Sequence, residues 1–291
     1  MITSDYIDYI CHKIRLEDRS AVEAIRLKER HVLSSHAFVS LFLWQGSMEL
    51  SLCLRKDAFF VRTGAKGENA WMFPCGSPAQ KLHFLKVMAD TPDFSLHYVR
   101  EEDMNFVEEL LPGRFHFIET RGDAEYIYHR AAQVDMPGRT YKNLRAKVHR
   151  ARNRHNWRIC TLEAASLQEV TQVMHTWRNH HGSKGDLDVA LLAIQKHVQL
   201  GLQGIVLRDE TGVQAVALGS VIAPGVFDLH VTKTLLPGLD SYLKWELYQR
   251  LPSDVKWIDQ EEDLDLPGLR TNKLESQPDR LIPLWKGVPK K

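Results

Sequence analysis

Five carboxylates fall within seven residues near the end of the chain: Asp259, Glu261, Glu262, Asp263 and Asp265, with Arg270 and Lys273 close behind. Like charges at this density repel one another unless cations or a bound amine intervene. Two readings follow. In one, Glu261 or Asp263 is a general base beside a bound ammonium group; in the other, these acids pair with Arg270 and Lys273 and simply fix the last loop. Earlier in the chain, Asp228 and His230 alternate on a predicted strand and so share a face with Thr232. They are candidates for an acceptor site, or a hydrogen-bonded structural pair.

The opposite charge is gathered in one run. Arg139, Lys142, Arg145, Lys147, Arg150, Arg152 and Arg154 follow one another with no acidic residue among them. On a helix, Lys142, Arg145 and Arg152 fall near one face while Lys147, Arg150 and Arg154 point elsewhere. Such a helix holds phosphates of tRNA, a lipid headgroup or the pyrophosphate of CoA, or is merely solvated. The whole chain carries 38 basic and 37 acidic residues, so no global field favours nucleic acid. No glycine-rich loop of the P-loop or dinucleotide type is present. Leu236-Pro237-Gly238-Leu239-Asp240, ahead of a predicted helix, is a thin version of a phosphate-binding turn.

Other reactive residue types point nowhere specific. Cys11, Cys53, Cys75 and Cys160 stand singly, without CxxC pairs, and read as ordinary thiols of a reducing compartment. His175 and the doublet His180-His181 lack a third ligand at a recognised spacing, so no metal is expected.

These groups need a scaffold, and 291 residues with 44% hydrophobic and 26% charged content allow two globular lobes. The apolar stretches fall short of the ~20 residues that span a bilayer. With no basic segment and apolar run at the N-terminus, a cytoplasmic location is expected. Periodicity predicts a helix over 5–14 and strands over 37–44, 49–54 and 58–61. A helix over 79–88, a strand over 94–99, a helix over 101–111 and an apolar run over 115–118 follow. A boundary falls at Arg121-Gly122-Asp123, giving lobes 1–122 and 123–291. In the second lobe, helices are predicted over 140–153, 166–180, 187–200 and 242–251. Strands are predicted over 157–162, 204–207, 213–222, 226–232 and 256–259, and a loop over 267–270 enters a helical turn. The class is α+β.

Two blocks carry a resemblance. Tyr126-Ile127-Tyr128 with Gly138-Arg139-Thr140-Tyr141-Lys142-Asn143-Leu144-Arg145 forms one. Trp257 to Leu264 with Gly268-Leu269-Arg270 and Lys273-Leu274 forms the other. They are similar to the signature blocks of the phosphatidylglycerol lysyltransferase C-terminal family. Trp71 to Gly76 and His230 to Gly238 fit more loosely. The resemblance implies two tandem GNAT-like acyltransferase lobes, each a mixed, mainly antiparallel sheet flanked by helices. It also implies aminoacyl transfer from aminoacyl-tRNA to a lipid headgroup, amine or hydroxyl, with acyl-CoA as the alternative donor and a non-catalytic binding module as the third reading. Central strands would line the cleft with Asp228 and His230, beside Glu261 and Asp263. Arg139, Lys142, Arg145, Lys147, Arg270 and Lys273 would bind phosphate or substrate. The chain departs from the family pattern at Asp265, where a Gly is usual, at Glu275 and Ser276, and at Ala146.

Overall fold

The computed structural model describes residues 9–67, 69–181 and 185–290. The chain divides into two units, Met1–Glu125 with Ile282–Lys291, and Tyr126–Leu281.

The first unit opens with α1 (Arg19–Lys28) and α2 (Phe38–Trp44). A meander of β1 (Leu50–Leu54), β2 (Ala58–Thr63) and β3 (Asn69–Met72) follows, with a short β4 (Cys75–Gly76). Next come α3 (Pro78–Met88), β5 (Phe94–Val99), α4 (Glu101–Leu110) and β6 (Phe115–Glu119). The last strand of the chain, β14 (Trp285–Pro289), returns here and lies between β5 and β6, antiparallel to both. The sheet order is β1-β2-β3-β5-β14-β6, with β4 on β2, and only β3 and β5 run parallel among its pairings. Phe84 of α3 anchors the core, its ring 4.7 Å from Phe60 and 5.3 Å from Trp71.

Three expectations are corrected in this unit. The run 37–44 is a helix, not a strand: Phe38 to Leu43 is buried on every side, and an apolar run without alternation does not distinguish the two. Residues 9–15 are not helical; His12 is instead bridged to Leu52, and residues 5–8 of that predicted helix lie outside the described residues. The boundary falls at Glu125 rather than 122, and residues 282–291 leave the second lobe because β14 completes the first sheet.

The second unit contains β7 (Glu125–His129), α5 (Arg130–Asp135), α6 (Lys142–Arg152), β8 (Arg158–Thr161), α7 (Leu167–His181) and α8 (Gly185–Leu200). The hairpin β9 (Gln203–Asp209) and β10 (Gly212–Ala223) leads into β11 (Val226–Thr234). Then come α9 (Asp240–Arg250), β12 (Trp257–Asp259), α10 (Pro267–Glu275) and β13 (Arg280–Ile282). The order is β13-β7-β12-β11-β10-β9-β8, and β11 with β12 is a parallel pair. Two parallel strands need a crossover, and α9 supplies it. Tyr128, Leu207, Ala217, Phe227 and Ile258 from the sheet pack with Leu243, Leu247 and Tyr248 of α9 and with Leu144 and Val148 of α6.

Candidate functional site

The parallel pairing of β11 and β12 lasts only three residues, ending at Asp228 opposite Asp259. Beyond that point β11 runs on to Thr234 while the other strand stops, so the two part company. His230 stands on one side of the opening and Glu261 on the other.

The strand next door aims His230. Between the pairs Leu218↔Val231 and Ser220↔Asp228 the register slips, leaving Leu229 and His230 opposite Gly219. A bulge of this kind re-aims a side chain. Gly219 is required there, because a Cβ would meet the Asp228 carbonyl oxygen at 2.0 Å and the Phe227 ring at 2.6 Å. The Ser220 hydroxyl lies 2.8 Å from His230 Nε2, and His230 Nδ1 lies 3.2 Å from Glu261 Oε1 and 3.3 Å from Asp228 Oδ2. Burial pushes the imidazole pKa down to about 3, so the ring is neutral at physiological pH. With carboxylates facing Nδ1, the proton sits on that nitrogen and Nε2 accepts from Ser220. The donor atoms of Asp228, His230 and Glu261 lie within 4.8 Å of one another, a set that also suits a cation.

Glu261 reaches this place through a strained loop. Its φ is +58°, and Leu264 and Asp265 are also left-handed at +52° and +57°. The Asp259 carboxylate accepts the Glu261 amide at 2.8 Å. The buried Lys273 ammonium donates to three successive carbonyls, those of Gln260, Glu261 (3.1 Å) and Glu262 (2.6 Å). Burial lowers the Lys273 pKa, against the pull of Glu262 and Glu261. The enclosed Asp263 carboxylate accepts from Tyr126 Oη at 2.6 Å, from the Asp265 amide at 2.9 Å and from Arg270 through two bonds of 2.8 Å. Arg270 also reaches Asp265 at 2.5 Å. Asp263, Arg270 and Lys273 therefore build the loop that presents Glu261. Tyr128 Oη donates to the Lys273 carbonyl at 2.9 Å and ties β7 to the same frame.

The basic residues scatter. Arg145 donates to the carbonyls of Met136 and Gly138, closing the turn after α5. Arg139 and Lys142 are exposed. Lys147 lines a groove of about 290 Å³ with Arg150, Arg154, Trp157 and the turn Leu236–Leu239 that opens α9, and it pairs with Glu275 at 2.5 Å. Arg150 and Arg154 belong to the run noted in the sequence but were not singled out; their joint placement depends on the β11–α9 turn, which no spacing reveals. Ser220, a lone hydroxyl in an apolar strand, was not anticipated at all. The side chains of His180 and His181 lie outside the described residues.

Two of the departures from the family pattern have local explanations. Asp265 occupies a left-handed position that glycine favours and aspartate tolerates, and its carboxylate gains Arg270. Glu275 gains Lys147. For Ala146, exposed on α6, nothing in the structure gives a reason.

Two mixed sheets flanked by helices, each containing a parallel pair beside antiparallel neighbours, define a tandem GNAT-like acyltransferase fold. The family described as phosphatidylglycerol lysyltransferase, C-terminal, matches residues 27–286, and the chain belongs to it. A conserved protein of unknown function from Bacteroides thetaiotaomicron is similar at a TM-score of 0.86 and 24% identity, covering 96% of this chain and 99% of that one. L-PGS from Bacillus licheniformis is similar at 0.66 and 16%, covering 96% and 93%. A tandem GNAT protein from the clavulanic acid biosynthesis pathway gives 0.54 and 8%, covering 96% and 97%. Curated proteins gave no match. Among the described residues no helix is long and apolar enough to cross a membrane.

Proposed function

We propose that this chain is an aminoacyltransferase that takes its aminoacyl group from aminoacyl-tRNA and passes it to a hydroxyl or amine acceptor. The observation that carries the proposal is the groove between α6 and the start of α9, lined by Lys147, Arg150 and Arg154. Guanidinium groups and the amides at a helix start are the groups that hold phosphate. The 3′ end of a charged tRNA brings a phosphodiester close to its reactive ester. A pyrophosphate would draw on several flexible amides, and the turn here has one glycine, Gly238; this favours tRNA over acyl-CoA.

In the proposed reaction Glu261 accepts the proton of the attacking hydroxyl or amine as it adds to the ester carbonyl. The tetrahedral intermediate collapses, and the ribose oxygen leaves with the proton that Glu261 had accepted, which restores the carboxylate. His230, through Nδ1–H, holds the Glu261 carboxylate in place, with Ser220 behind it. Asp263, Arg270 and Lys273 act by positioning the loop.

The test is filter binding of aminoacyl-tRNA across a salt series, comparing the native chain with Arg150→Ala combined with Arg154→Ala. The expected result is at least a ~10-fold loss of affinity and a log–log salt slope shallower by roughly 1.5, since each phosphate contact contributes a little under one to that slope. Binding of acetyl-CoA alone would move the chain to the N-acyltransferases. Binding without product from any donor would mark a non-catalytic module.

A further inference from the structure

His230 has one ring proton to offer and two carboxylates placed to receive it. Nδ1 lies 3.2 Å from Glu261 Oε1 and 3.3 Å from Asp228 Oδ2, and the donor atoms of the three residues lie within 4.8 Å of one another. The Ser220 hydroxyl, 2.8 Å from Nε2, occupies the other nitrogen, so the proton on Nδ1 has no second position on the ring. Two such similar distances describe a three-centre hydrogen bond, with one donor shared between two acceptors.

The acceptors differ in freedom. The Asp228 side chain is fully enclosed, whereas that of Glu261 is 13% exposed. Asp228 sits inside β11, opposite Ser220 on one side and Asp259 on the other. Glu261 is held by its main chain: the Asp259 carboxylate accepts its amide at 2.8 Å, and the Lys273 ammonium donates to its carbonyl at 3.1 Å. Its side chain is the part left to turn. Asp228 is thus the fixed acceptor and Glu261 the movable one.

Charge decides how the ring proton is divided. A hydrogen bond to a carboxylate is stronger than one to a neutral carboxyl group. While Glu261 is ionised, the two arms compete on equal terms. Once it has taken up a proton, its hold on Nδ1–H weakens and Asp228 becomes the better acceptor. The repulsion between two neighbouring carboxylates ends at the same moment. Glu261 is then released from the histidine just when it carries the proton that the ribose oxygen needs.

We infer that Asp228 is a positioning residue that takes over the Nδ1–H of His230 when Glu261 is protonated, which frees the Glu261 carboxyl to turn from the nucleophile to the leaving oxygen. No covalent bond changes at Asp228. The proton passes from the nucleophile to Glu261 and from Glu261 to the ribose oxygen, while the ring proton only exchanges its hydrogen-bond acceptor. The catalytic consequence rests on the transfer reaction proposed above; the hand-over itself does not, so the two are measured separately.

The hand-over is tested by NMR of the full chain with ¹⁵N-labelled histidine, the His230 ring being assigned by its absence in His230→Gln. Glu261→Gln stands in for the protonated acid, because glutamine is neutral and of the same shape. Expected is an Nδ1–H protected from solvent exchange in both the native chain and Glu261→Gln. Adding Asp228→Asn to Glu261→Gln should speed that exchange about tenfold or more, since a charged acceptor is replaced by a weaker neutral one. Asp228→Ala takes its place if that variant does not fold. Loss of protection in Glu261→Gln alone, or no effect of the added substitution, would overturn the hand-over. In single-turnover transfer, Asp228→Asn should be about tenfold or more slower with unchanged donor affinity. Most of that loss should vanish with an aminoacyl-tRNA whose terminal ribose carries a 2′-fluorine, because a more acidic leaving oxygen needs less help from Glu261. An equal loss with both donors, or a native rate, would overturn the catalytic consequence. If no donor supports transfer, the proposed function fails and the exchange measurement still decides the hand-over.

Discussion

His230 Nδ1 and Glu261 Oε1 meet at 3.2 Å where β11 and β12 part. One residue is fixed by a bulge in a buried strand and the other by a left-handed loop, so the contact joins two elements set by unrelated backbone features. Replacing Glu261 by Gln preserves the shape and removes the base. Single-turnover transfer should fall by ~10²–10⁴-fold, the usual range for a general base, with little change in thermal unfolding. An unchanged rate would remove Glu261 from proton transfer.

The two ends of the basic run should behave differently. Arg145→Ala takes a donor from the Met136 and Gly138 carbonyls and should cost about 1–2 kcal/mol of stability in urea unfolding. Arg150→Ala with Arg154→Ala should leave that midpoint nearly unchanged and weaken tRNA binding. The reverse pattern would place the phosphate site at Arg145.

Lys273→Met should be severe. The ammonium is the donor to three buried or half-buried carbonyls, and its loss leaves them to find water inside the loop. A cost of about 3 kcal/mol or more is expected, read from denaturant unfolding. Because the loop carries Glu261, transfer should fall even in protein that remains folded.

Buried histidines set a pH dependence. Burial pushes His36, His97 and His230 down to about 3, and holds His31 well below its ordinary value. The unfolded chain protonates them near pH 6.5, so between about pH 6.5 and 3 it binds more protons than the folded chain. Their stabilising contribution is full above pH 6.5 and is lost as pH falls toward 3. Each such histidine costs about 1.4 kcal/mol per pH unit within that window. The urea midpoint should drop steeply from about pH 6.5 to about pH 5, ahead of the main carboxylate titrations; a flat profile there would contradict their neutral burial.

Gly219→Ala should destabilise the second unit by roughly 2–4 kcal/mol, since the methyl group meets backbone at Asp228 and cannot be accommodated by a rotamer change. The His230 ring should also lose its fixed position, visible as broadened imidazole resonances. A native-like melting curve would mean that the bulge relaxes freely.

Much of this was legible in the chain. Strongly periodic helices such as 101–110 and 142–152, and the hairpin turn at Asp209–Gly212, follow from pattern and turn chemistry alone. The run Phe38 to Trp44 was not legible, because total burial erases the difference between two periods. Asp228, His230 and Glu261 could be picked out as residue types, yet their meeting depends on a bulge at Gly219 and on the early end of β12, neither of which has a sequence period. Arg145 stood out by its place in a family motif, but a motif residue can serve a turn as well as a ligand. The roles of Asp263 and Arg270 were open between chemistry and architecture, and the twofold hydrogen bonding of that pair gives weight to architecture.

The position of β14 has a consequence for synthesis. The fifth strand in the first unit's sheet order leaves the ribosome only after the whole of the second unit. Until it arrives, β5 and β6 have no partner between them, and both present unpaired amides and carbonyls. The unit that is made first thus cannot finish first. Its open edges must survive the time taken to translate more than 150 intervening residues, from Tyr126 to Leu281, a window in which unpaired strand edges expose the nascent chain to aggregation.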